Sequence, residues 1–446
     1  MKIYAPWEKA FNRIATPFEH FIQAQTTTGL VLMVTTVLAL IFANSAFAQP
    51  YLDFFHTDIS IVFGSWELSH SIHHWINDGL MAVFFFIIGL EIKREVVVGE
   101  LSSIKVAILP ILAALGGMAF PALIYYGINY GTPGANGWGI PMATDIAFAI
   151  SALVLLGNRV STPLVTFLIA LAIVDDLGAV LVIAIFYTEN IQEGYLFLAL
   201  ASFLVMVSMN RFGIYSTLAY FIVGIIMWYF MLLSGVHATI AGVIAAMAIP
   251  ARPKIEPRGF SVYTKELLHE YDSYYALDKD TLHERQKAVL QTMKDKIDSI
   301  NPPASRLEHS LHLPVSLIVI PLFAFANAGI SIDFSSIKST ILEPVSLGII
   351  GGLLLGKILG IGGTAWLAIK FKIAKLPEDS TMAQVFGVSI LGGIGFTMSI
   401  FVAELAFAGN DTFIFQAKVG ILFASLLAGF VGYFFLRAIS DKKIDN

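Results

Sequence analysis

Cysteine is absent from this chain of 446 residues, which excludes disulfides and thiolate metal sites. Charge is scarce. Asp, Glu, Lys and Arg make up 13% of residues, 57% are hydrophobic, and mean hydropathy is +0.77. A soluble globule cannot cover that much apolar surface, so the composition is that of an integral membrane protein. A net charge of −5 offers nothing to a nucleic-acid backbone, and no nucleic-acid partner is expected. Residues 1–24 lack a long apolar core and carry Lys2, Glu8, Lys9, Arg13 and Glu19. That is not the make-up of a cleaved signal peptide, and an amphipathic helix at the cytoplasmic face is expected there.

What the chain does have is apolar stretches. A spanning helix needs about 20 apolar residues. Twelve candidate spans satisfy this, at about 26–45, 77–97, 104–127, 138–157, 163–187, 195–210, 213–232, 236–250, 311–331, 345–370, 385–408 and 415–437. Lys and Arg placement orients them. The connections 47–76, 128–137, 188–194 and 233–235 contain neither residue. The alternate connections hold Lys93, Arg94, Lys105, Arg159, Arg211, Lys370, Lys372, Lys375 and the basic residues between 252 and 306. Only Lys338 and Lys418 fall on the opposite side, and Lys357 lies within a span. This alternation predicts an all-α polytopic protein, residues 1–446 forming one transmembrane domain, with both termini cytoplasmic.

Two segments are not spans. Residues 47–66 include Asp58-Ile59-Ser60-Ile61-Val62-Phe63 before Gly64-Ser65, which reads as an exterior β-hairpin or an ordinary loop. Exposed hairpin edges would suit pairing with a second copy, so a homodimer is expected. Residues 251–310 form a long polar cytoplasmic connection. Within it Leu282, Val289, Met293, Ile297 and Ile300 recur at helical spacing after Asp280, which predicts an amphipathic helix.

Four ionisable residues lie near the middle of spans: Asp145, Asp175, Asp176 and Lys357. Each costs roughly 2.5–3.5 kcal/mol to place at bilayer depth, and such residues usually mark an ion path or a proton relay. The fourth span contains Pro141, Thr144 and Asp145. Proline lacks an amide donor and interrupts the helix ladder, so a half-helix beginning near Thr144 would point its amides at the break. Asp175 and Asp176 are adjacent, about 100° apart on a helix, so their carboxylates face different directions. Close carboxylates in a low dielectric do not both ionise easily unless a cation compensates. A metal cation and protons would then compete for one negative site. Lys357 follows a glycine-rich run, Gly351 to Gly356, and its depth suits a bridge to either Asp145 or Asp175. A desolvated lysine that itself carries the proton is the alternative.

Gly392, Gly393 and Gly395 mark a second break in the eleventh span. Spans three to five and ten to twelve thus each have an interrupted central member. They are an odd number of crossings apart, so they run in opposite orientations, as an inverted repeat would.

At these residues the chain resembles the NhaA family of sodium/proton antiporters, itself a standing example of inverted-repeat transporters. The resemblance rests on ATDIAFA around Asp145, IVDDLGAV around Asp175 and Asp176, GKILGI at Lys357 and GGIGFTMSIF in the eleventh span. WINDGLMAVFFFIIGLEIKRE across Asp78 to Glu95, GVHATIAG at His237 and PLFAFANAGIS at 321–331 agree as well. The ordered set covers essentially all twelve spans.

The resemblance implies an inward-facing funnel and a cation site at Asp176, with Asp175 beside it. Asp145 would compensate the dipole ends of crossed, broken helices, with Thr144 and Lys357 nearby. It implies electrogenic exchange of sodium or lithium for protons by alternating access, in the bacterial inner membrane, with no cofactor. Asp78 matches a family acid in the exit path; a helix N-terminal cap is the alternative. Glu91, Arg94, Glu95, Glu308, His309 and His312 match a cytoplasmic cluster linked with pH response, to which His237 could contribute. Two departures stand out: the 251–306 connection is long, and Glu404 is unusual at its apolar position.

Other readings fit less well. An intramembrane aspartyl protease also uses two buried acids, but the chain has no Gly-x-Gly-Asp motif, and no enzyme is expected. A passive cation channel could use acidic residues too; the midplane Lys357 and the paired breaks argue against an open pore.

Overall fold

The computed structural model describes residues 25–64, 66–188, 191–254, 257–273, 284–331 and 337–440. The amphipathic helix expected within residues 1–24 lies outside them, as do Ser65, Asp280 and Leu282. The described chain is helical apart from one two-stranded hairpin. Six helices among these residues are long and apolar enough to cross a membrane, and up to nine if each bent pair counts as one span. Large apolar side chains point outward along them. Leu123 is 67% exposed, Ile185 69%, Phe197 69% and Leu426 76%, a surface suited to lipid.

α1 (Gln25–Ala43) is followed at a sharp bend by α2 (Ala48–His56). The hairpin pairs β1 (Asp58–Phe63) with β2 (Trp66–Ser71). It is antiparallel, with Ser60 opposite Ser69 and their hydroxyls 2.6 Å apart. The alternation in Asp58–Phe63 marks a real strand, but residues 48–56, read from sequence as part of the same segment, are helical. Ile59, Ile61 and Val62 are exposed on the hairpin. α3 (72–97) starts at a Ser71 cap, whose hydroxyl accepts from His74 N at 3.2 Å, and passes through a π turn at Trp75–Leu80.

α4 (Ile104–Asn129) is followed by a 3-10 stretch, Pro133–Met142, and α5 (Ile146–Val154), meeting at a 40° bend. The interrupted segment thus begins earlier than the expected residue 138. Then come α6 (Thr162–Phe186), α7 (Glu193–Arg211), α8 (Thr217–Leu233) and α9 (Thr239–Ala248). The last two are apolar but shorter.

The polar connection holds two helices where one was expected, α10 (Pro257–Ser273) and α11 (Glu284–Ile300). Lys296 Nζ sits 4.6 Å from the Tyr263 ring centroid and ties the pair together. Of the expected stripe on α11, Val289 is buried and Ile297 exposed. The next helix, α12 (Pro303–Asn327), starts earlier than residue 311. Glu308 and His309, expected in the polar connection, therefore ride with His312 on its first turns. Its polar beginning masked its true length.

α13 (Pro344–Lys370) contains two π stretches, Gly352–Gly356 and Ile358–Gly363, with Lys357 between them. π turns often accompany functional positions. α14 (Met382–Leu391) and α15 (Phe396–Ala406) meet at 49°, and α16 (Asp411–Ile439) closes the bundle. α4 and α13 cross closely because both are small there. A Cβ on Gly360 would lie 2.3 Å from Gly116 O. The larger apolar core runs through α3, α4, α6, α13, α14, α15 and α16. A smaller one joins α7, α8 and α9.

Candidate functional site

The two bent segments cross where both lose helical backbone. Residues 143–145 are extended or irregular between the 3-10 stretch and α5, and 392–395 between α14 and α15. The breaks are bonded to each other: Asp145 N donates to Ile394 O at 2.6 Å. Ser399 Oγ donates to Ile140 O at 2.9 Å across the same crossing. Backbone groups of the two breaks are thereby met by protein, as a membrane interior demands.

Asp145 serves both half-helices. Its Oδ1 accepts from Phe148 N at 3.2 Å, the N-cap bond of α5. Its Oδ2 accepts from Thr397 N at 3.0 Å and from the Thr397 hydroxyl. One carboxylate therefore sits at the positive ends of two helices. Thr397 was not singled out from sequence, because a threonine in an apolar helix carries no warning of such a role.

Lys357 is fully buried and is paired with Asp175, not Asp145. Its Nζ lies 2.7 Å from Asp175 Oδ2 and 3.0 Å from Thr144 Oγ1, and it also donates to Met142 O. An ammonium has three donors, and all three are used. Thr144 Oγ1 lies 2.8 Å from Asp175 Oδ2 and 3.0 Å from Gly392 O. Having one hydrogen, it donates to one of these at a time while accepting from Lys357.

Among the described residues, Asp175 Oδ1 and Asp176 Oδ1 are buried with no hydrogen-bond partner. Native proteins rarely leave carboxylate oxygens so. Three acids, Asp145, Asp175 and Asp176, are buried near the crossing with one lysine, Lys357, which is paired with Asp175. Among the described residues no cluster of three or more His, Asp or Glu is placed to hold a resident metal. A cation here would need the Asp175 and Asp176 oxygens together with neutral oxygens from the breaks. That donor set, all oxygen, suits a hard cation.

The remaining expected residues fall in two other places. Arg94 lies between Glu95, at 3.0 Å, and Glu308, joining α3 to α12. Glu91 is one turn earlier on α3, and His309 and His312 are exposed on α12. Lys93 donates to Met247 O at 2.7 Å, so this cluster sits at the C-terminal end of α9. His237 precedes the other end of α9, and its Nε2 lies 2.7 Å from Tyr187 O. It is not part of the Arg94 cluster.

Asp78 is not a helix cap: it lies inside the π turn, and Ser71 caps the helix. Its Oδ2 is 3.0 Å from His74 Nε2, close but out of hydrogen-bond alignment. The His74 ring stacks on His70 with centroids 4.2 Å apart. Burial lowers the His74 pKa. His70 is lowered too, chiefly by burial and by His74, against the opposing pull of Asp78 and Asp58. Glu404 is paired with Lys418 at 2.7 Å, both largely buried, which accounts for an acid at that apolar position.

Comparison with known proteins decides the family. The family model described as Na+/H+ antiporter 1 matches residues 19–436. The chain belongs to the NhaA family of Na+/H+ antiporters. It is 68% identical to the Na(+)/H(+) antiporter NhaA of Sulfurimonas denitrificans, over 99% of this chain and 100% of that one. It is 48% identical to Na(+)/H(+) antiporter NhaA 1 of Saccharophagus degradans, over 98% of this chain and 94% of the relative. An NhaA from Dichelobacter nodosus is 45% identical over 98% and 94%. Membership in the family makes the chain a multi-pass membrane transporter and not an enzyme.

Proposed function

We propose that this chain exchanges sodium, or lithium, for protons across the bacterial inner membrane. The observation that carries the reading is the pair of buried, unpartnered oxygens on Asp175 and Asp176 beside the crossed breaks. They supply negative charge that either a metal cation or protons can neutralise. Asp176 is the principal cation ligand. Asp175 contributes its free oxygen while its other oxygen is held by Lys357. Asp145 balances the two helix ends so that the crossing does not repel a cation.

Exchange then follows from exclusive occupancy. With few protons inside, the carboxylates bind sodium from the cytoplasm. Binding biases the protein toward the outward-open arrangement, by as much as sodium prefers that state. Outside, protons displace the ion and the protonated site returns. The full architecture is twelve crossings with both termini cytoplasmic. Spans three to five and ten to twelve rock as an inverted repeat, an architecture for which the NhaA family is itself a standing example. The cycle is electrogenic. The protein is a homodimer paired through its hairpin, Asp78 lies on the exit path, and the Arg94–Glu95–Glu308 cluster with Glu91, His309 and His312 adjusts activity to internal pH.

The test uses purified protein in vesicles enclosing a pH dye. Sodium addition moves protons with the unaltered protein, and Asp176→Asn abolishes the response. Sodium-driven proton movement persisting in Asp176→Asn rejects the assignment.

A further inference from the structure

Gly395 occupies the N-cap position of α15, where Ser, Thr, Asn or Asp would ordinarily supply an acceptor for the first free amides. None fits. A Cβ at Gly395 would lie 2.2 Å from Ser399 Oγ, 2.9 Å from Leu353 Cδ2 and 3.1 Å from Ala143 O. The crossing of the two breaks is too tight for any side chain, so the cap must come from elsewhere in the fold.

It comes from two residues. Asp145 takes the amide of Thr397. Ser425, buried on α16, takes two more: its Oγ accepts from Gly395 N at 3.2 Å and from Phe396 N at 3.1 Å. α16 is pressed against the break here, since a Cβ on Gly393 would lie 3.2 Å from Ala428 Cβ. The positive end of α15 is thus divided between a charged carboxylate and a neutral hydroxyl.

We propose that Ser425 is a positioning residue for the cation site, a trans-supplied cap that sets the electrostatic potential at the broken helix. Resting on the transport reading above, it explains how one carboxylate, Asp145, suffices for two helix ends. The ionisable groups around the crossing among the described residues are Asp145 from the start of α5, Asp175 and Asp176 from α6, and Lys357 from α13, with Glu91 from α3 acting on Asp176 from the cytoplasmic side. α14, α15 and α16 bring none to this level; Glu404 and Lys418 are paired away from it. Without the hydroxyl, two amides lose their acceptor and the break becomes more positive. Sodium and protons are both then held less well by the neighbouring carboxylates. A carboxylate in place of the hydroxyl acts in the opposite sense.

The experiment measures the sodium concentration for half-maximal exchange, and the pH profile of exchange, in vesicles. Ser425→Ala is expected to raise the half-maximal sodium concentration at alkaline pH by about threefold, and to move the profile acid by about half a pH unit. Ser425→Asp is expected to move the profile alkaline. Ser425→Thr, which keeps the hydroxyl, is expected to return it to that of the unaltered protein. A purely structural role gives a lower maximal rate with an unshifted profile, or the same direction of shift for Ala and Asp. Either result overturns the proposal, even should Ser425→Ala fold poorly, because the Asp and Thr variants carry the same contrast. Failure of the unaltered protein to exchange overturns the transport reading itself, and this inference with it.

Discussion

Lys357 Nζ and Asp175 Oδ2 lie 2.7 Å apart, and both side chains are completely buried. The bridge joins α13 to α6, and through Thr144 and Met142 it also holds the break of the fourth segment. Asp145, the other carboxylate at that depth, is engaged instead by Thr397 and by its own helix. Among the described residues the three acids thus differ in their partners: Asp145 caps two helices, Asp175 is bridged through one oxygen with the other unpartnered, and Asp176 has an unpartnered oxygen and no lysine bridge.

Removing one partner from a buried pair leaves an uncompensated charge, which typically costs about 3–5 kcal/mol. Lys357→Ala is therefore expected to lower the melting temperature of the purified protein in detergent clearly. Replacing both partners with apolar residues of similar size, Lys357→Met with Asp175→Leu, is expected to recover most of that loss. Thermal unfolding of the unaltered protein and of these two variants checks this. Equal destabilisation by the single and double changes would show that the bridge does not act as a unit.

Thr397→Val keeps the backbone amide on Asp145 but removes the hydroxyl donor. The loss of one hydrogen bond to a charged group is about 1.5–3 kcal/mol. Exchange is expected to persist with a reduced maximal rate, and Thr397→Ser is expected to retain it. Initial rates of sodium-driven proton movement measure both. Unchanged rates in Thr397→Val would show that Asp145 does not need the hydroxyl.

The stacked imidazoles of His70 and His74 give the hairpin a pH dependence of definite sign. Both have pKa values pushed below the ordinary imidazole range, burial being the first cause in each. The unfolded segment therefore binds protons more readily than the folded one. Stability is full above the ordinary value of about 6.5 and is lost as pH falls through the lowered folded values. Amide hydrogen exchange in β2 and at the start of α3 is expected to speed up on acidification. His74→Gln with His70→Gln is expected to flatten that dependence. The same acid response in the double variant would remove these histidines as its cause.

Much of the site was legible in the sequence because charge within an apolar stretch is conspicuous. Asp145, Asp175, Asp176 and Lys357 stand out on that ground, and Pro141 and the glycines at 392–395 mark the two interruptions. Depth does not give rotation about a helix axis, which is why Lys357 fitted Asp145 as well as Asp175. Thr397 and Ser425 were invisible because a hydroxyl inside an apolar run carries little hydropathy signal. Glu404 looked anomalous only because its partner, Lys418, lies on the next helix. The length of α12 was underestimated for the opposite reason: Arg306, Glu308 and His309 make its first turns polar, although the helix begins at Pro303 and continues through a π turn at Val315–Val319. Alternation at 58–63 left a hairpin and an ordinary loop both open, and the partner strand Trp66–Ser71 falls almost wholly beyond the 47–66 segment, whereas the helix at 48–56 has no long apolar face to announce it.

Competition between sodium and protons for Asp175 and Asp176 is tested most directly by calorimetric titration of sodium into purified protein. The titration is repeated from mildly acidic to alkaline pH in buffers of differing ionisation enthalpy, which count the protons released. Expected is tight binding in alkaline buffer that weakens steadily toward acid, with protons released as sodium binds. Equal affinity across the range, with no proton release, would contradict it.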